Sequence, residues 1–515
     1  MTTKPHILFI ILDTLRRDRL GSYGHQRPTS PHLDRFTADA TRFMRAIAPA
    51  QWTIPSHASM FTGLYPSAHQ VAQANSLLSG AHPTLAEILQ SGGYHTAAFC
   101  NNPLVGAIDH GLARGFAEFY NYGSAVPQRP NEAERGALYR EFMHRFRPFA
   151  RRVGNQFAQH DWLFRAALNP LWVPIWTKYI HFKGNTAQSI DDLTDWWKTR
   201  TTGSDAQPVF AFLNLMQSHL PFQPPQEYLD RVAPELRNDK RAWAFMGRFN
   251  ADGAAWASPP ETPLADWQTD VLNAFYDAEI AYQDAQLGRL LGDLETSGAL
   301  DNTFVVISAD HGEGFGEHDL FGHGFAVHQE LVHVPLIMRG ADLVPQGGVV
   351  SENVSTRRIF HTLLDVAGIE PPLAADDSNG DVARLSLLNS VRGDDGEDDT
   401  AYTEAIPPTT FLKVIEHRCP ALIEPLRLRL TWRGVYSGDH KLMLAGEQPA
   451  ALYDVARDPA ETDNLLTAQP ALATELTRKV RLLAQAAEGG RVGSAAHGEV
   501  SDEVMEQLRA LGYVD

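Results

Sequence analysis

"HILFIILDT", residues 6–14, sets the fold. Its apolar run, Ile7 to Leu12, is six residues long and ends at Asp13. Such a run is far too short to cross a bilayer and too short for the apolar segment of a signal peptide. A strand buried on both faces is the structure it fits. "HTAAFC" (95–100), "PVFAFLNLM" (208–216), "TFVVISAD" (303–310) and "VPLIMRG" (334–340) have the same character. Helical patterns lie between them: "PTLAEILQSGGY" (83–94), closed by Gly92-Gly93, and the long apolar period of 269–294. Strands alternating with helices predict an α/β fold, a large, mostly parallel, mixed sheet sandwiched by helices. Ligands in such folds bind beyond the carboxyl ends of strands, where Asp13 and Asp310 both fall.

The chain of 515 residues has room for one large domain and a smaller one. The acidic stretches "AADDSNGD" and "RGDDGEDD" read as a connection near 372–400. They predict a catalytic domain over 1–395 and a smaller α+β domain over 396–515. The latter takes short antiparallel strands from "RLRLTWRGVYSGDHKLMLA" and "AALYDV", then a helix over 470–487. Residues 120–200 break the rhythm with Arg140, Arg145, Arg147, Arg151 and Arg152, then Trp162, Trp172, Trp176, Trp196 and Trp197. They predict an inserted helical segment, serving as a subdomain, a lid or a homo-oligomer contact. A formal charge of −18 argues against a nucleic-acid partner, which needs a basic face. The sequence shows no membrane span, and its two cysteines, Cys100 and Cys419, suit a reducing, cytoplasmic setting.

Two stretches carry the chemistry. In "QWTIPSHASMFTG" (51–63), Thr53 stands just ahead of Pro55, which suits a first helical turn, and Gly63 suits its end. A helix N-terminus favours the negative charge of a deprotonated alcohol. In "SADHGEGFGEH" (308–318), Asp310 and His311 follow a buried strand and can both reach a divalent cation. His219 and His323 follow other apolar runs beside Pro or Gly turns, whereas His328 and His333 read as structural.

At these residues the chain resembles the sulfatase family, within the alkaline-phosphatase superfamily. "PHILFIILDTLRRDRLGSYG", "TIPSHASMFTGLYPSAHQV", "SADHGEGFGEH" and "ALYDVARDPAETDNLL" are similar to family blocks and stand in the family's order. The resemblance implies an alkaline-phosphatase-like fold and a metal-dependent ester hydrolase acting on a small anionic ester. It implies a metal set of Asp13, Thr53, Asp310 and His311, and one divalent ion, Ca, Mn or Zn, because the second site of the two-zinc phosphodiesterases lacks its aspartate at Leu215. It places His219 and His323 at the leaving group, and Asn75 and His57 at the substrate.

The departures matter too. Thr53 stands where the family has the cysteine that becomes formylglycine, and His57 where it has arginine. Oxidising a threonine gives a ketone, so Thr53 acts as an unmodified alcohol. A threonine ester cannot be expelled by collapse to an aldehyde, and this favours phosphate or phosphonate esters over sulfate esters. A sulfatase without formylglycine, a sulfuryl or phosphoryl transferase, and a catalytically idle relative are the alternatives.

Overall fold

A computed structural model describes residues 4–491 and 496–497, apart from 107, 109, 124–126, 131–182, 202–206, 253–257, 259–262, 341 and 371–381. Eight strands form the main sheet: β1 (His6–Leu12), β2 (Thr41–Ile47), β3 (His95–Cys100), β4 (Glu118–Asn121), β5 (Val209–Leu215), β6 (Thr303–Ser308), β7 (His333–Arg339) and β8 (Val349–Ser355). Their spatial order is β8-β2-β7-β6-β1-β5-β3-β4. Only β7 runs against its neighbours, β2 and β6; the other pairs are parallel. β1 lies at the centre and is buried at every residue, as its unbroken apolar run requires.

Helices cover the sheet. Those that bear on the site or the core are α1 (Thr53–Thr62), α2 (Leu85–Ser91), α3 (Thr186–Thr201), α4 (Asp266–Thr296), α5 (Ile359–Ala367) and α6 (Pro470–Gly489). Most of the predicted 120–200 insertion lies outside the described residues. Its last part is α3, and there Trp196 and Trp197 are core residues: Trp197 meets His6 edge-on, and Trp196 packs on His95 and Phe99. No helix among the described residues is long and apolar enough to cross a membrane.

A second sheet holds four antiparallel strands in sequence order, β9 (Thr400–Ala405), β10 (Trp432–Ser437), β11 (His440–Ala445) and β12 (Gln448–Asp454). α6 packs its apolar face, including Leu476 and Val480, against this sheet. The two sheets meet where Glu404 N donates to the Pro49 carbonyl (3.0 Å) and its carboxylate accepts from Ser67.

Candidate active site

Register alone brings two carboxylates together. β1 and β6 are parallel neighbours, paired as far as Ile11 and Ser308. Asp13 and Asp310 each lie two residues further on, at the same end of the sheet. The Asp13 N–H still donates to the Leu215 carbonyl of β5 (2.8 Å), so the aspartate leaves the sheet at a fixed point. β5 and the end of β3 add two amides: Asn102 Nδ2 donates to Asp13 Oδ2 at 2.6 Å and Asn214 Nδ2 at 3.4 Å. Asp310 Oδ1 accepts from the N–H groups of Thr14 (3.2 Å) and His311 (3.0 Å). Thr14 is held at φ 58, a left-handed conformation that is uncommon for a β-branched residue. That turn aims its N–H at Asp310, while Tyr276 Oη secures its carbonyl at 2.6 Å.

α1 begins at Thr53 and ends at Gly63, whose φ of 75 lets the chain turn back; a Cβ there would lie 2.7 Å from the His361 ring. The helix presents Thr53 Oγ1 at 3.2 Å from His311 Nε2. The His311 Nδ1–H donates to the Gly312 carbonyl (2.8 Å), which fixes the tautomer and leaves the Nε2 lone pair facing Thr53. Gly312 is needed at this point, because a Cβ would stand 1.9 Å from the Glu330 carbonyl.

Beyond His311 the rings run on. His323 lies 4.5 Å from His311, and His219 lies 5.1 Å from His323. His323 Nδ1 bonds Glu313 Oε1 at 3.0 Å, and its Nε2 is buried without a hydrogen-bond partner. The wall of this corner comes from the second half of the chain. Phe411, on the helix Thr409–Arg418, meets both His323 and Trp52 and crosses Gly324, where a Cβ would fall 2.5 Å from its ring. Gln51 Nε2 ties the same corner to the carbonyls of Gly324 and Ile406.

Two expected site residues sit elsewhere. His57 is one turn into α1 and fully buried, with its ring edge-on to Phe61 and Phe212. Its Nδ1 donates to the Thr53 carbonyl at 2.9 Å and lies 3.4 Å from Asp310 Oδ2. It braces the Thr53 backbone and the Asp310 carboxylate from behind. Asn75 is exposed in a turn, and no hydrogen bond joins it to the cluster among the described residues. Sequence reasoning gave no role to Glu313, Asn102, Asn214 or the strained Thr14, although Thr14, Asn214 and Glu313 lie within the stretches 6–14, 208–216 and 308–318 that it singled out.

The electrostatics explain what the cluster accepts. Burial, then the neighbouring Asp310, raises the Asp13 carboxyl to about 8; burial raises Asp310 to about 7. Asp13 Oδ1 and Asp310 Oδ2 are buried and take no hydrogen bond from the protein. Asp13, Asp310 and His311 each offer a ligand atom within 4.8 Å of the others. Two carboxylates, an imidazole and a hydroxyl fit a divalent cation, and these donors do not separate Ca, Mn and Zn.

A prediction follows for protein stripped with a chelator. A carboxyl whose folded pKa is raised binds its proton more tightly when folded, so the folded state loses stability as pH rises through the raised value. The melting temperature of stripped protein should fall between about pH 5 and pH 8, and saturating divalent metal should flatten that slope. Melts across pH with and without chelator test this; a stripped protein equally stable at both ends would contradict the repulsion between Asp13 and Asp310.

Burial lowers His219 and His323 to about 3. An acid that titrates near neutral pH is therefore neither of these rings alone. Burial raises Glu313 to about 7, so the bonded Glu313–His323 pair holds one proton that titrates near neutrality.

Comparison with known proteins places the chain in a family. A family model described as Sulfatase matches residues 5–369. An ulvan-active sulfatase of Formosa agariphila is 25% identical over 490 residues, 93% of this chain and 81% of that protein. Human iduronate 2-sulfatase is 26% identical over 355 residues, 65% of this chain and 60% of that protein. Among solved structures, the phosphonate monoester hydrolase of Agrobacterium radiobacter shares the fold with a TM-score of 0.62 at 22% identity, covering 94% of this chain and 96% of that one. A structure solved with D-glucosamine-2-N,6-O-disulfate gives 0.64 at 18% identity, covering 95% and 99%. With the family match running through both Asp13 and the Asp310-His311 pair, and the alkaline-phosphatase-like sheet bringing them together, the chain belongs to the sulfatase family of hydrolases.

Proposed function

We propose that the protein hydrolyses phosphate or phosphonate esters, mono- or diesters, with Thr53 as the nucleophile. The observation that carries this reading is the Thr53 hydroxyl, an alcohol at the first residue of a helix, 3.2 Å from His311 Nε2 and beside two converging carboxylates. A divalent cation held by Asp13, Asp310, His311 and Thr53 would supply positive charge to the nucleophile and to a nonbridging oxygen of the ester. Thr53 Oγ1 gives up its proton to solvent and attacks phosphorus in line, favoured by the N-terminus of α1. The ester's alcohol leaves on the side of His219 and His323 and takes the proton held by the Glu313–His323 pair. Water then attacks phosphorus, one of its protons returns to the emptied Glu313–His323 pair, and Thr53 Oγ1 departs and regains a proton from solvent. Phosphorus is preferred because an ester on threonine has no aldehyde to collapse to, and phosphoryl threonine yields to water. The shared fold with the phosphonate monoester hydrolase is consistent with this choice.

Sulfate ester hydrolysis is the second reading, favoured by the sulfatases among the relatives. Steady-state kinetics on aryl phosphate mono- and diesters, an aryl phosphonate and an aryl sulfate separate the two. The expected result is the highest kcat/KM on a phosphorus ester, with Thr53 unmodified by mass analysis. A sulfate ester turned over fastest would sink the phosphorus reading, and product analysis with added alcohols would expose a transferase.

Glu313 acts through His323, as a positioning residue. Glu313→Gln should lower kcat by about 10–100-fold, leave active-centre metal binding in place and remove the limb near pH 7 on which the rate falls as the pair loses its proton. An unchanged pH profile would mean that His323 does not serve the leaving group.

A further inference from the structure

The loop that follows β5 is held at more points than a connection needs. It carries His219, whose Nδ1–H donates to the Leu220 carbonyl at 2.8 Å, so the ring goes where residues 217–221 put it. One ammonium grips that loop on both sides. Lys183, just ahead of α3, donates from Nζ to the Gln217 carbonyl (2.7 Å) and to the Pro221 carbonyl (2.9 Å). These carbonyls stand two residues before and two residues after the histidine. The third bond of the ammonium goes to Glu279 Oε1 of α4, at 2.7 Å. Glu279 grips the same loop: its Oε2 accepts from Gln217 Nε2 (2.5 Å) and its Oε1 from the Gln223 N–H (2.6 Å). Gln283, one turn further along α4, accepts from the Gln217 N–H at 3.1 Å.

The fold alone does not call for this pair. Glu279 is fully buried and the Lys183 side chain is 13% exposed. Burial lowers the Lys183 ammonium from its ordinary value, and Glu279 opposes that shift. Desolvation costs a buried ion pair so much that an apolar pair of similar volume often stabilises a fold as well or better. Apolar groups cannot, however, draw two carbonyls four residues apart onto a single point. The curvature so imposed decides where His219 stands against His323, whose ring is 5.1 Å away and edge-on. α4 is the rigid support. Tyr276, three residues before Glu279 and on the same side of the helix, secures the Thr14 carbonyl beside Asp310.

We propose that Lys183 and Glu279 are positioning residues for His219, acting through the loop to fix its ring at the leaving group. This role presupposes that His219 serves the leaving group, as in the mechanism above. A displacement of about 1 Å costs about a hundredfold in a step that needs the displaced group. The loss should fall on esters whose alcohol leaves poorly, because a good leaving group departs unaided.

The test is kcat/KM, which reports the chemistry up to departure of the alcohol, with melts alongside. Wild type, Lys183→Met, Lys183→Met/Glu279→Gln and His219→Ala are compared on phenyl and para-nitrophenyl esters of whichever acid is turned over fastest. Lys183→Met should lose about 10–100-fold on the phenyl ester and less than about threefold on the para-nitrophenyl ester. His219→Ala should show the same dependence, and Lys183→Met added to it should cost little more, because the two act as one unit. Lys183→Met leaves Glu279 buried without its cation. The double variant removes both charges and keeps an acceptor for Gln223, so it should melt near wild type and retain the leaving-group dependence of Lys183→Met. A double variant as active as wild type on the phenyl ester, one that loses equally on both esters, or one that does not fold would make the pair structural and overturn the proposal. If instead His219→Ala loses nothing on the phenyl ester, the leaving-group role of His219 itself is wrong, and the clamp has no ring to position.

Discussion

Replacing Thr53 with alanine should cut turnover by about 10,000-fold and leave the fold standing. Alanine removes the attacking oxygen and one ligand together, and groups that act as a unit do not lose their contributions separately. The structural cost is small, because Thr53 makes no side-chain cap to its own helix and α1 is anchored elsewhere by Ser56 Oγ, which donates to the Asp310 carbonyl at 2.7 Å. Thr53→Cys separates two explanations. A thiolate would keep a borderline cation yet attack phosphorus poorly, so phosphoesterase turnover should stay low. Conversion to formylglycine should be poor as well, because His57 occupies the place of the family's arginine. Kinetics of wild type and both variants on an aryl phosphodiester and an aryl sulfate, with melts, decide the matter. A well-folded Thr53→Ala that turns over at a near-wild-type rate would put the chemistry elsewhere.

Asp310→Asn should cost about a thousandfold or more in turnover while making the chelated protein more stable near pH 8. The two effects have opposite signs for one reason. Asp310 stands beside Asp13, and without a cation between them the two carboxylates repel in a buried corner. Asparagine retains an Oδ1 for the N–H groups of Thr14 and His311, which spares the turn. A chelated Asp310→Asn that melts below chelated wild type at pH 8 would show that the aspartate stabilises the fold by itself.

The strands legible in the sequence are the ones buried on both faces. β1, β3, β5, β6 and β7 are near-continuous apolar runs because helices cover them on either side. β2, "TRFMRAI", carries Arg42 and Arg45 on its half-exposed positions, and the edge strands β8, "VVSENVS", and β4, "EFYN", are short or polar. None of the three has a pattern that marks it out. The candidate ligands Asp13 and Asp310 were legible because a lone aspartate closing an apolar run is conspicuous. Asn102 and Asn214 were not, since an asparagine at a strand end is ordinary until the neighbouring strand reveals an aspartate 2.6 Å away. His328 reads as structural, and its partner Glu461, 2.7 Å from its Nδ1, comes from far along the chain. That meeting needs the second sheet to fold back.

Phe411 gives the molecule a division of labour. The charged residues stand on the main sheet, whereas the ring that closes over His323 comes from a helix beyond β9, held by a gap one glycine wide at Gly324. A change in the 406–418 segment can therefore reshape what fits the corner without touching a single ligand. Two relatives with identical ligands can then differ wholly in diet, and the shape of this flap, not the ligand set, becomes the trait to follow when their substrates diverge.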